Sequence, residues 1–326
     1  MQYLFLVSLE SFINSFATMA FNVTFRKIKF VFLFIILFCY GGSAQIIELY
    51  SSKPSQVGAR SEGMAEAYNA DANDVTSMYA NPASLAFLLR QSVVLNHLMD
   101  QSINGMNENI SFPLRFGNGE QVGIGFTVNH VGYLGNSDNT DFHVIQYGYD
   151  IAYAKEIFPA LSMGAGVSVR YARSDSTSLW GISSSFGFLY WPSPEVSYGI
   201  SLTDVGSGIL YISDRVKTNL SSENLPRVLQ ASVTMHFPSP PDQTFLTISV
   251  ANQKIFGTDG ILYNGGIEYY PVSFAALRWG YIYQLNLINT ATYGLGFRNN
   301  KFQLDYAIIP SQIGARSYQI SFAFTL

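Results

Sequence analysis

The sequence predicts an all-β fold: an antiparallel transmembrane barrel of about fourteen strands, preceded by a small N-terminal hatch or plug segment that contains a short helix. Three observations predict it. After residue 90 the apolar residues recur with period two, the strand signal, rather than 3.6. Only 12% of residues are charged while 15% are aromatic, about half the charge of an average soluble domain. No apolar run of the ~18 residues that a membrane helix requires follows residue 44, so a lipid-facing chain of this composition must cross with strands.

The first element is a leader, residues 1–44. Arg26, Lys27 and Lys29 precede an apolar run from Phe30 to Tyr40, and Gly42 and Ala44 follow at the small-residue positions of a cleavage site. This is the three-part layout of a secretory signal peptide, with a run too short to span a bilayer. Met19 is an alternative start. Cys39, the single cysteine, lies in the leader, and Phe38 before it is not the small residue of a lipoprotein signal. The mature chain therefore lacks thiol chemistry. Removing the leader, with its three basic residues and Glu10, takes the net charge from −4 to −6. That acidic excess, with no basic cluster, excludes nucleic acid as a partner.

The second element, residues 45–90, shows no sustained alternation. Asp71 and Asp74 precede a helical stretch expected at about 74–80, where an acid caps free amides and suits the dipole. Pro82 is expected to end it at or before Asn81, which should bond nearby backbone in a turn. Gly58 and Gly63 mark tight turns. A segment this short cannot hold a core of its own, and a fourteen-stranded barrel leaves space inside. The segment is therefore read as a hatch in the lumen.

The third element is the barrel, residues 91–326. Strand segments begin near 91, 107, 120, 143, 161, 181, 196, 227, 243, 262, 273, 291, 301 and 317. In "LQASVTMHF" Leu229, Ala231, Val233, Met235 and Phe237 oppose Gln230, Ser232, Thr234 and His236. Turn chemistry separates the segments at "GNGE" (117–120), "WPSPE" (191–195), "PSPPDQ" (238–243) and "NNK" (299–301). A soluble sandwich has the same alternation but carries more charge on its solvent face. Here the polar faces are Gly, Ser, Thr, Asn and Gln, aromatics punctuate the apolar faces near strand ends, and Tyr318, Ile320, Phe322, Phe324 and Leu326 alternate to the last residue. The partner of that face is outer-membrane lipid.

Catalytic and metal chemistry find little support. His97, His130, His143 and His236 stand at no metal-ligand spacing. His236 shares a face with Ser232 and Thr234, but no carboxylate is placed to orient it, so a hydrogen-bonded lumen residue is the better reading than a nucleophile–base pair. Arg170, Glu268, Arg278, Arg298 and Asp305 are lumen-side charges expected to pair within the wall or against the hatch. No cofactor site is indicated.

The hatch segment also resembles a known family. Gly58, Ala59 and Arg60, then Gly63 and Met64, Asp71 and Asp74, Tyr79, and Asn81, Pro82 and Ala83 follow the order of the N-terminal signature of the PorV/PorQ family, within the wider group of barrels like the fatty-acid transporter FadL. Glu66 departs from it, standing where a small residue is usual. "YGISLTDVGSGILYI", "LPRVLQASVTMHF" and the last hairpins extend the likeness over about residues 55–326. The resemblance implies a non-enzymatic outer-membrane barrel of Bacteroidota-type bacteria, an accessory or shuttle of type IX protein secretion whose partners are a large translocon and secreted cargo proteins. It equally implies the alternative, a FadL-like passive transporter that carries hydrophobic small molecules past an N-terminal hatch.

Overall fold

The structure is a computed structural model. It describes residues 57–326 apart from 73, 89, 102–103, 118, 134–141, 175–176, 214–219, 224–226, 239–244, 258–259, 285–288 and 311–315. The predicted leader, 1–44, and most of the "PSPPDQ" loop lie outside the described residues.

Among the described residues, fifteen strand segments form one antiparallel sheet: β1 (Ser92–Asp100), β2 (Gly105–Gly117), β3 (Glu120–Tyr133), β4 (Phe142–Phe158), β5 (Leu161–Ser174), β6 (Thr177–Ser193), β7 (Val196–Ser213), β8 (Leu220–Glu223), β9 (Val228–Phe237), β10 (Leu246–Ile255), β11 (Leu262–Val272), β12 (Ala275–Gln284), β13 (Thr290–Arg298), β14 (Phe302–Pro310) and β15 (Arg316–Thr325). Each segment pairs with its sequence neighbour, except that β7 bonds both β8 and β9 on one side. β8 is a four-residue piece on the far end of β7, in line with β9. The two share one stave, so the ring has fourteen.

Closure joins β1 to β15 in unbroken register from Ser92↔Thr325 to Asp100↔Ser317. This closes the sheet into a ring, the condition for strands to cross a bilayer. The lipid-facing side is built by alternation: Ile320, Phe322 and Phe324 of β15, Leu277 and Trp279 of β12 and Leu95 of β1 are all exposed large apolar residues. An antiparallel barrel closed on itself with an apolar outer face is an outer-membrane barrel. Two connections at the end that holds Ser92 and Thr325 are tight. Gly119 takes a left-handed φ of 68° between β2 and β3, and Ala160 one of 65° between β4 and β5, as two-residue hairpin turns require.

Inside the ring the N-terminal segment forms a short α-helix, α1 (Ala59–Gly63), then turns through Ala70, then forms two 3₁₀ helices, Val75–Tyr79 and Pro82–Phe87. The first 3₁₀ helix falls where the sequence placed a helix. It ends at Tyr79, before Asn81 as expected, and Pro82 in addition opens the second helix at the position where a missing N–H costs nothing. Asn81 is the N-cap, its Oδ1 accepting from the Ala83 amide at 3.1 Å.

Candidate functional site: the hatch and its seat

The hatch runs round the inner wall as a near-complete circuit. It starts at β15, where the Ala59 amide donates to Ser321 Oγ at 2.7 Å. It passes β13, where Ala65 N donates to Thr292 Oγ1 at 3.1 Å. Gln230 of β9 donates to the Glu66 carbonyl at 2.9 Å, and Ser249 of β10 to that of Ala67. Asn69 meets Ser201 of β7, and Ser197 of β7 donates to the Ala70 carbonyl at 2.5 Å. Asn81 Nδ2 reaches the Phe188 carbonyl of β6 at 3.1 Å, and Ser162 of β5 donates to the Ala83 carbonyl at 2.8 Å. Tyr79 OH lies 3.1 Å from Ser111 Oγ of β2. Finally Arg115 of β2 donates to the Leu88 carbonyl at 2.9 Å. Hatch carbonyls that no helix or sheet satisfies thus receive hydroxyl and amide donors from the wall, which is how irregular backbone survives at membrane depth.

Two of the sequence-predicted groups converge at one place. Arg60 of the hatch forks onto Glu268 of β11, Nε to Oε1 at 2.8 Å and Nη2 to Oε2 at 2.5 Å. The same Arg60 Nη2 lies 2.9 Å from Asp71 Oδ2. Glu268 Oε1 also takes Arg278 Nε of β12 at 2.7 Å, and Arg278 Nη1 reaches Asp305 Oδ1 of β14 at 2.7 Å. None of these side chains is more than 6% exposed. The Tyr68 ring covers the Arg60 guanidinium at 5.0 Å. Burial works against a charged Arg60, but Glu268 and Asp71 reverse that effect and raise its pKa well above the ordinary value. The network is one hatch cation held in a wall of paired charge.

The other half of the hatch is held differently. Val75, Met78, Leu85, Ala86 and Leu88 pack against Val94, Ala152, Ala154 and Ala323 of the wall. Asp74 caps the first 3₁₀ helix, its Oδ1 accepting from Thr76 N at 2.8 Å. Burial raises the Asp74 carboxyl pKa, against the pull of the two Thr76 bonds.

Hatch and wall touch where the wall has no side chain. A Cβ added at Gly164 of β5 would strike the backbone of Pro82 and Ala83, and one at Gly280 of β12 the backbone of Met64 and Ala65. At Gly58, φ is 121° and an added Cβ would lie 2.9 Å from Thr76 Oγ1. Gly63 faces Gly294, 3.1 Å from its own would-be Cβ to that Cα. The sequence displayed this signal as Gly- and Ser-rich inner faces, but period-two reading cannot tell a small residue facing water from one receiving a second segment.

The remaining predicted residues lie elsewhere. Arg170 of β5 pairs with Asp150 of β4 at 2.8 Å, in the sector of the lumen near Tyr79. Asp150 was not singled out by sequence, because nothing in β4 alone distinguishes it. Arg298 sits at the β13 end beside the turn, bonding the Ser273 carbonyl at 3.2 Å and stacking on Tyr270 at 4.0 Å, outside the Arg60 network. His236 stacks on Trp191 with ring centroids 5.5 Å apart, while Ser232 Oγ is bonded to Asn69 at 3.3 Å. Among the described residues no Ser–His pair and no metal-binding group of His, Cys, Asp and Glu is formed.

Comparison with known proteins places the fold. The chain is similar to the monoaromatic hydrocarbon channel TodX in a deltaS2 mutant, with TM-score 0.59 and 12% identity over 84% of this chain and 100% of that one. It is similar to a Pseudomonas aeruginosa FadL homologue, with TM-score 0.59 and 11% identity over 82% and 98%. It is similar to the Pseudomonas putida toluene transporter TodX, with TM-score 0.57 and 12% identity over 82% and 96%. No family model matches the chain, and no curated protein does. At such identities the likeness is one of fold.

Proposed function

We propose that the protein is a hatch-gated passive channel of the bacterial outer membrane that admits small hydrophobic molecules and performs no chemistry on them. The observation that carries this reading is the hatch. A segment that lies inside the ring and is held by separable ion pairs, hydrogen bonds and small apolar contacts is suited to partial displacement. The fold it shares with a monoaromatic hydrocarbon channel and a toluene transporter supports the reading. So does the wall beside the hatch. The β7–β9 ladder stops at Thr203↔Val228 and resumes with β8 at Ile209↔Glu223. Within that interval Asp204 adopts a left-handed φ of 56°, and β7 shifts register against β6 twice. An irregular stave of this kind is a natural place for a solute to leave the lumen sideways.

A second reading rests on the ordered signature from Gly58 to Ala83: a type IX secretion accessory of the PorV/PorQ kind, presenting loops to a translocon and to cargo. One experiment separates the two. Deleting the gene is expected to slow uptake of a scarce hydrophobic nutrient such as toluene and to leave surface delivery of secreted proteins unchanged. Impaired delivery with normal uptake would instead establish the secretion reading.

A further inference from the structure

The lumen is not an oily tube. In the sector from β2 to β7, on the side of the hatch toward the β1–β2 turn, the inward residues are Asn107, Asn129, Gln146, Asp150, Arg170 and Asp204. The inward direction of the first five follows from alternation, and that of Asp204 from its bond to Ser183 on the inner face of β6. Asn129 shares its face with Gly123, which abuts Met78 of the hatch, and Gln146 shares its face with Ala152 and Ala154 of the hatch core. Asn107 donates to Asn129, Asn129 donates to Gln146 at 3.3 Å, and Ser168 and Arg170 both bond Asp150 Oδ1, at 2.6 and 2.8 Å. Ser183 reaches Asp204 at 3.2 Å. Asn107, Asn129, Gln146, Arg170 and Asp204 are only half-buried, so they line open lumen rather than packed interior. Asp150 is buried, and its Oδ2 has no partner.

Consider a bare hydrocarbon passing this wall. It would strip water from amides and charges and offer nothing in return, a cost for every group left unpaired. A molecule carrying its own hydroxyl or amide groups replaces the lost water. The charge balance narrows the class further. Arg170 is committed to Asp150, and Asp204 adds a second carboxylate, so the sector repels an anionic head.

We infer that the molecule this channel takes up is amphipathic: an apolar body with an uncharged, hydroxyl-rich head that is recognised by the amide wall of Asn107, Asn129 and Gln146 beside the Asp150–Arg170 pair. This rests on the channel reading and names its substrate class. The apolar body suits sideways exit into lipid at the irregular β7 stave, and the head is what the wall selects.

The test is equilibrium dialysis of the barrel in lipid nanodiscs, with empty nanodiscs subtracted, using n-hexyl glucoside, hexanoate and toluene as probes. Hexyl glucoside is expected to bind saturably, at least about tenfold more tightly than toluene. The double variant Asn129→Leu/Gln146→Leu is expected to weaken it by about tenfold and to tighten toluene, which no longer strips water from two amides. Gln146→Ala alone serves if the double variant loses the heat-modifiable gel mobility of a folded barrel, with a loss of a few-fold expected. Saturable toluene binding without glucoside binding overturns the inference and leaves the channel reading standing. Tighter hexanoate than glucoside overturns the neutral head. Saturation by none of the three overturns the inference and the channel reading together.

Discussion

The two halves of the hatch are secured by different physics. Residues 57–72 are tied by charge and by donors aimed at their carbonyls, with Arg60 forked onto Glu268 at the centre. Residues 74–88 receive such donors too, from Ser162 and Arg115, but outside the Arg60 network they are tied chiefly by shape: two capped 3₁₀ turns set Met78, Leu85 and Leu88 against alanines of the wall. An ion pair resists removal of either partner but not exchange for another partner or for water, whereas a packed apolar cluster has no such alternative. The difference teaches which half can open. The charged half can be released at one point, while the apolar half must be unpacked as a whole.

Reporter cysteines can break this comparison, because the only cysteine, Cys39, belongs to the predicted leader. Ala67→Cys reports on the first half and Ala86→Cys on the second; both alanines are buried, so labelling by a soluble maleimide measures opening. The largest effect is expected from Glu268→Gln. It leaves Arg60 and Arg278 buried without their shared carboxylate, a loss of about 3–5 kcal/mol. Labelling at position 67 should rise by about a hundredfold or more, and labelling at 86 should change little. Equal acceleration at both positions would mean that the hatch moves as one body.

Leu85→Ala comes next. It deletes a fully buried side chain of the apolar half, at a cost of about 2–3 kcal/mol given the small core it leaves. Here position 86 should respond and position 67 should not. The smallest effect is expected from Asp74→Ala, which removes the cap on the first 3₁₀ turn, worth about 1 kcal/mol. Labelling at 86 is expected to rise about fivefold. No change at 86 would show that packing alone fixes that turn.

The barrel was legible in the sequence to within a few residues per strand. The expected starts at 120, 161, 196 and 262 coincide with Glu120, Leu161, Val196 and Leu262. A lipid-facing strand imposes strict alternation, so each strand records its own phase. Arg278, Glu268 and Asp305 fall on the inward phase of their strands; which of them pair with which was not legible, because β11, β12 and β14 come together only through register. The hatch was legible as an exception to alternation, but its internal form was not. The second helix that Pro82 opens was not expected, and the bond from Asn81 to the Phe188 carbonyl spans 107 residues that no local pattern connects.

The glycines of the wall carry a consequence for biogenesis. Gly164 and Gly280 give their staves no inner side chain where the hatch backbone lies, and such positions weaken an isolated strand through added chain freedom. A barrel emptied of its hatch would be most pliable along the line the hatch traces. A hatch in that position would serve as a mandrel, the wall taking its final curvature by closing around it; the bore would then be a product of joint assembly, and full expulsion of the segment would unmake the shape of the passage.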